Sequence, residues 1–328
     1  MSVRRTHLAF LAAALVPLAA GCGDKRPATT TISSTSSAPA PAAPGDTGIP
    51  PGTVTETTAA TVPVSYADAE AAYGERKYAE AAEMFASYTR SNPDNAWGHY
   101  MHGLSAWKSG DPEQAMASFD ETLRIDPQHR KSLLNSARVL LDTGHPGEAL
   151  ERIERAMTLE PLSAEGLRLL GRARHELKQI PEAIDGYQRA IALDERDGWA
   201  MNNLGLIYIQ QDRSDAALPV LARAVELRAG SPVFQNNLGT ALESTGHFAA
   251  AKRAYEAALA ADSTYGKAAA SLARVTPHAE SDTTAIDLPT LAAEFRAEVE
   301  RWRDATDAVD TAEVADTAEM VDTTQVLQ

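Results

Sequence analysis

The chain has one cysteine in 328 residues, so neither a disulfide scaffold nor a thiolate-rich metal site can be built from it. Basic residues are also scarce. With 30 Lys and Arg against 45 Asp and Glu, the net charge is −15, and no cationic surface large enough to neutralise a run of phosphates is expected. Nucleic acid is excluded as an expected partner. The apolar run Leu8 to Ala20 has 13 residues, too few to cross a hydrocarbon core of about 30 Å, which takes roughly 20 helical residues. A Gly-rich phosphate loop, a His-Glu-x-x-His pair and a Gly-x-Ser-x-Gly elbow are all missing. The sequence therefore predicts no enzyme, no cofactor and no metal.

The charge that is present is unevenly placed. Residues 276–328 carry 13 acids and 3 bases, a net −10, which leaves −5 for the other 275 residues. At the other end, Arg4 and Arg5 precede the apolar run, and small residues lead to Cys22, the layout of a secretory signal. The segment Leu18-Ala19-Ala20-Gly21-Cys22 resembles the bacterial lipobox, with Ala19 where that motif prefers Leu. The resemblance implies removal of residues 1–21 and lipid on Cys22; several acyl chains anchor stably where one would be marginal. The plainer reading is an ordinary cleaved signal with an incidental free thiol. A twin-arginine signal fits less well, because His7 stands where an apolar residue is preferred. Gly23 after the cysteine slightly favours the outer over the inner membrane.

Residues 22–61 are rich in Ala, Pro, Thr and Ser, with Pro39-Ala40-Pro41 and Pro50-Pro51, and cannot bury enough apolar area to fold. Such a tether reaches roughly 35 Å as a coil and about 120 Å fully extended.

From residue 62 the sequence repeats with a period of 34. Ala81, Ala115, Ala149, Ala183, Ala217 and Ala251 form one series, and Phe85, Phe119, Ile153, Tyr187, Leu221 and Tyr255 form a second, four residues later. Ala156, Ala190, Ala224 and Ala258 form a third; Gly103, Gly171, Gly205 and Gly239 fall in register, and Pro93, Pro127 and Pro161 end the early units. Here the chain resembles the tetratricopeptide repeat family, whose 34-residue unit is two antiparallel helices. The resemblance implies an all-α, right-handed superhelical solenoid of about six repeats. Small residues are expected to let the two helices of a unit approach, with the large residue filling the gap between successive units. Ala69 in unit one, and Glu195, Ala229 and Ser263 for the closing proline later on, depart from the pattern. The reading divides the chain into a signal (1–21), a tether (22–61), a solenoid ending in a short capping helix (62–275), a linker (276–286), an amphipathic helix (287–309) and an acidic disordered tail (310–328).

The resemblance also implies a concave groove lined by the first helix of each unit, where family members hold extended peptides. Asn135, Asn203 and Asn237 occupy the position from which an amide can both donate to and accept from a peptide backbone, although Met101 and Leu169 interrupt the ladder. The competing reading makes Asn202-Asn203 and Asn236-Asn237 structural braces. Arg138, Arg168 and Arg172 are expected to face the same groove, where guanidinium matches carboxylate bidentately; a solvated basic face is the alternative. Trp97, Tyr100, Leu104 and Trp107 recur at helical spacing in unit two, either as an exposed aromatic patch for a partner or as core under unit one. His99 and His102, three apart, are expected to pack inward rather than bind metal.

Leu288, Leu291, Phe295, Val299 and Trp302 form one stripe of the C-terminal helix. It is expected to cap the last repeat; folding back into the groove or engaging a partner are the alternatives. If the tail reached the groove arginines, it would compete internally with a partner.

Taken together these features predict a lipid-anchored scaffold of the bacterial envelope that binds other proteins or peptides, similar to pilotins or adaptors of cell-wall hydrolases. A small-molecule site in the groove and a purely structural spacer are the other two readings. Oligomeric state is not encoded legibly.

Overall fold

Residues 64–304 are described by the structure, a computed structural model, and all belong to the second of the chain's two units, 60–328. The expected signal, Cys22, the tether, residues 305–309 of the expected C-terminal helix and the tail lie outside the described residues.

Six helix pairs follow the 34-residue period. Unit one is α1 (Tyr66–Gly74) with α2 (Tyr78–Ser91), unit two α3 (Ala96–Ser109) with α4 (Pro112–Ile125), and unit three α5 (Arg130–Asp142) with α6 (Pro146–Leu159). Unit four is α7 (Ala164–Glu176) with α8 (Ile180–Leu193), unit five α9 (Gly198–Gln210) with α10 (Ser214–Leu227), and unit six α11 (Pro232–Ser244) with α12 (Phe248–Ala261). Then come α13 (Gly266–Ala279), packed on α12, and a last helix, α14, over residues 288–304. No strand occurs among the described residues.

Each first helix opens on a side chain that accepts one of its unpaired N–H groups. Asn95, His129, Ser163, Asp197 and Ser231 accept from Gly98, Ser132, Gly166, Ala200 and Phe234 respectively. These caps also lie 34 apart, a series that escapes notice because its members differ chemically. A second such series marks the turn between the two helices of each unit. Gly110, Gly144 and Gly246 have φ between 81° and 91°, and at equivalent positions Arg76, Lys178 and Asp212 are held at φ 57–64°. The turn demands a left-handed residue, and only half of the units use the residue for which that conformation is free.

The helices of a unit meet where its glycine faces its large residue. A Cβ on Gly103 would stand 2.8 Å from the Phe119 ring and 3.0 Å from the Ala115 carbonyl oxygen; on Gly205 it would stand 2.5 Å from Leu221. Gly171 meets Tyr187 and Gly239 meets Tyr255 in the same way. The large residue thus lies against the glycine of its own unit, correcting the expectation that it would fill the gap between units. The reason is geometric: without a Cβ, the first helix leaves a hollow that the ring fills.

The C-terminal segment takes a route that the amphipathic stripe alone does not reveal. Asp282 accepts the Ala249 N–H at the start of α12 and the Thr284 hydroxyl, and these hydrogen bonds lower its carboxyl pKa to about 2. From there α14 runs back along the second helices. Phe295 and Val299 join the core of units four to six, Arg296 approaches Glu226 of α10 at 3.7 Å, and Arg303 donates to the Ala192 carbonyl of α8 at 2.8 Å. The helix is therefore a strap over the outer side of several units rather than a lid on the last one; α13 occupies that terminal place.

Replacing Gly103 with Ala is expected to cost about 1–2 kcal/mol, the overpacking penalty less the gain in helix propensity. Gly147→Ala, where a Cβ meets nothing within 4 Å, is expected to be neutral or stabilising by up to about 1 kcal/mol. Chemical denaturation of both variants checks the contrast.

Candidate functional site

The first helices of units two to five enclose a cavity of about 830 Å³. Its floor and walls are Tyr100, Leu104 and Trp107 from α3, Leu134 from α5, Leu169 from α7 and Trp199 from α9. Around them stand Lys108, Lys131, Arg138, Arg168 and Arg172, together with Asp142 and Glu165. The sequence-predicted aromatic residues and arginines are thus brought to one cavity, with Asn135 and Asn203 also in its lining. Trp97 stands beside it, edge-on to Tyr100 at 5.4 Å, and Asn237 does not line it.

The arginines line this cavity with their guanidinium groups already engaged. Arg138 of α5 donates to Glu165 of α7; Arg172 of α7 donates to Asp142 of α5 at 2.8 Å and to Glu176 at 2.9 Å; Arg168 of α7 donates to Asp197, the cap of α9, at 2.8 Å. Three of these four carboxylates belong to α5 and α7 and the fourth caps α9, and all but Glu176 are reached from another helix, so the arginines fasten units three, four and five to one another. Asp197 is only 10% exposed, which makes its pair with Arg168 the least solvent-screened of the set.

The asparagines are engaged as well. Asn135 donates to the Tyr100 hydroxyl at 3.1 Å and accepts from Arg138 at 2.6 Å, and it is buried. Asn237 donates to Asn202 at 2.9 Å, while Asn202 donates to Asn203 and Asn236 to Asn237 at 3.3 and 3.4 Å. This chain of amides ties α9 to α11. Of the expected ladder, Asn135 is held by Tyr100 and Arg138 and Asn237 by Asn202, so these two amides brace neighbouring first helices, while Asn203 accepts from Asn202 within α9.

What remains presented to a ligand is aromatic surface and two lysines. Trp97 and Trp199 are 49% and 41% exposed, whereas Tyr100 is 7% exposed, its hydroxyl covered by Asn135 and its pKa raised by burial. Lys108 lies over the Trp107 ring at 4.9 Å and Lys131 over Trp97 at 5.2 Å. Neither lysine makes an ion pair among the described residues. Trp199, in the cavity lining, and His129, beside Trp97, escaped the sequence reading; the 34-residue spacing from Asn95 through His129 to Ser163 is the signal that would have found His129 as a cap.

His99 and His102 are taken up locally. His99 Nε2 lies 2.9 Å from the Pro93 carbonyl, and His102 Nδ1 lies 3.0 Å from the Ser118 hydroxyl of α4, with burial lowering the His102 pKa.

Sequence models of the tetratricopeptide repeat match residues 66–130, 106–173, 171–212, 198–229 and 234–265. The chain belongs to the tetratricopeptide repeat family. No curated protein matches it in sequence. Among solved structures, a chain of the Cut9–Hcn1 hetero-tetramer of APC/C is 18% identical over 64% of this chain and 41% of that one, with a TM-score of 0.58. A tetratricopeptide repeat protein from Parabacteroides merdae is 12% identical over 63% of this chain and 81% of its own, with a TM-score of 0.55. MamA from Desulfovibrio magneticus RS-1 is 23% identical over 50% of this chain and 92% of its own, with a TM-score of 0.46. At these identities the likeness is one of fold. Tetratricopeptide arrays are scaffolds for protein–protein interaction, and the cavity lies on the first-helix side of this one.

Asp197→Ala removes both the cap of α9 and the partner of Arg168, and is expected to cost about 2 kcal/mol. Hydrogen exchange should show the loss concentrated at α7–α9; uniform or undetectable loosening would contradict the role of this pair in joining the units.

Proposed function

We propose that this chain is a non-catalytic scaffold of the bacterial envelope, held to a membrane by lipid on Cys22 and binding a segment of a partner protein in the first-helix cavity. The observation that carries this reading is the cavity itself: aromatic and leucine side chains form its walls, while its arginines are already matched to carboxylates. Such a site gains affinity from burying apolar side chains rather than from a charge clamp. Lys108 and Lys131, lacking carboxylate partners, favour a segment that carries acids beside its aliphatic side chains. The lipobox-like Leu18–Cys22 and the Pro-rich stretch after it support presentation on a tether. Assisting assembly of an envelope complex, in the manner of a pilotin or an adaptor of a cell-wall hydrolase, is the role that fits an anchored binder without catalytic residues.

Two experiments test the two halves. Full-length protein immobilised in detergent should capture partners from solubilised envelopes, and Trp107→Ala should weaken capture by about 30-fold, the effect of losing roughly 2 kcal/mol at a central anchor. Lys131→Glu, at an exposed position, provides the variant that leaves packing intact. Undiminished capture by both variants, with melting curves unchanged, would move the binding site elsewhere. For the anchor, labelled fatty acid should enter the wild-type chain but not Cys22→Ser, and the variant should leave the membrane pellet; an unlabelled wild type would overturn the lipid reading.

A further inference from the structure

The strap and the cavity lie on different sides of the array but come together at one loop. Arg303, near the end of α14, approaches Glu195 at 3.5 Å as well as the Ala192 carbonyl. Glu195 lies in the loop between α8 and α9, and two residues further along that loop is Asp197, which holds Arg168 in the cavity lining. The last described residues of the chain are thus delivered to the edge of the array at the point where its outer side turns into the cavity rim.

The sequence that continues from there is ordered in an unusual way. Asp304, Asp307, Asp310, Glu313, Asp316, Glu319 and Asp322 recur every third residue, and no Lys or Arg follows Arg303. Between them lie Val309, Val314, Met320 and Val321. An extended left-handed chain has three residues per turn and advances about 9.3 Å per turn, which brings such acids to one edge. Lys131 lies over Trp97 at the start of α3 and Lys108 over Trp107 near its end, about 15 Å apart along the helix at 1.5 Å per residue, so two such turns span them. The cations available to such an edge are on successive first helices. Arg138, Arg168 and Arg172 are already matched by Glu165, Asp197, Asp142 and Glu176, whereas Lys108 of α3 and Lys131 of α5 are not.

We propose that residues 305–322 of this same chain occupy the α3–α5 end of the cavity, setting carboxylates on Lys108 and Lys131 and aliphatic side chains on the Trp107–Leu104 wall. Those 18 residues reach about 56 Å when extended, ample to pass from unit four to unit two. The chain then carries its own competitor, and a partner enters by displacing it. This inference rests on the cavity being a binding surface, but its test does not use the partner.

The test is zero-length carbodiimide cross-linking of the full, lipidated chain in detergent, followed by trypsin. Residues 304–328 are released as one peptide, because they contain no cleavage site. Cross-links from that peptide to Lys108 and Lys131 should exceed those to Lys25, Lys77, Lys178, Lys252 and Lys267 several-fold within the monomeric band, and should fall in 1 M salt, where the screening length is about 3 Å. The Lys77–Glu75 pair, 2.8 Å apart, reports that the reagent has worked. Cross-links spread evenly over all lysines, or absent from the tail peptide, would overturn the proposal. So would cross-links confined to dimers, which would make the occupant a second copy. Because partner capture by the full chain is measured separately, loss of the cross-links with capture still sensitive to Trp107 would leave the cavity reading standing.

Discussion

The close approach of two helices at Gly103, Gly171, Gly205 and Gly239 is the contact on which the rest of the array depends. Phe119, Tyr187, Leu221 and Tyr255 lie where a Cβ on these glycines would stand within 3 Å of them. A pair packed so tightly behaves as one rigid element, and its outward faces are then free to serve as surfaces against the next pair. Burial accumulates from unit to unit: Leu204, Leu221, Phe234 and Tyr255 are fully or almost fully buried within one core that extends through units four to six. No single pair could bury such a core alone.

Polar groups on the first-helix side then set how the units stand relative to one another. Arg138, Arg168 and Arg172 reach across α5, α7 and α9, and the amides of Asn202, Asn203, Asn236 and Asn237 continue the link to α11. The same side chains that line the cavity therefore also fix its dimensions. Alanine at these positions would alter the shape of the site as well as its chemistry, which is why Trp107 and Lys131 are the more informative places to probe binding.

On the outer side, α14 covers the second helices of the later units, and its last described residues reach the loop that leads into the cavity. Phe295 and Val299 are nearly inaccessible there, so the strap is part of the fold rather than an accessory to it. Units one to three have no such cover among the described residues. Leu218 and Ala222 of α10 are buried, whereas Leu150 and Glu154 at the same register of α6 are not.

The period of 34, the identity of the residues that must be small or large, and the number of units were all readable in the sequence, because helix pairing is local and repeats its demands at a fixed interval. The caps at Asn95, His129, Ser163, Asp197 and Ser231 carried the same interval but were hidden, since several different side chains can accept an N–H. The stripe from Leu288 to Trp302 told that the last helix must be covered, but not by what. What only the tertiary structure decided is how the groove residues are used. Whether Arg168 or Asn135 faces a ligand or a neighbour depends on residues distant in the chain, Asp197 and Tyr100, whose proximity exists only once the units have stacked. Spacing along a chain fixes which face a side chain occupies; the partners it finds on that face follow from the packing of one unit on the next.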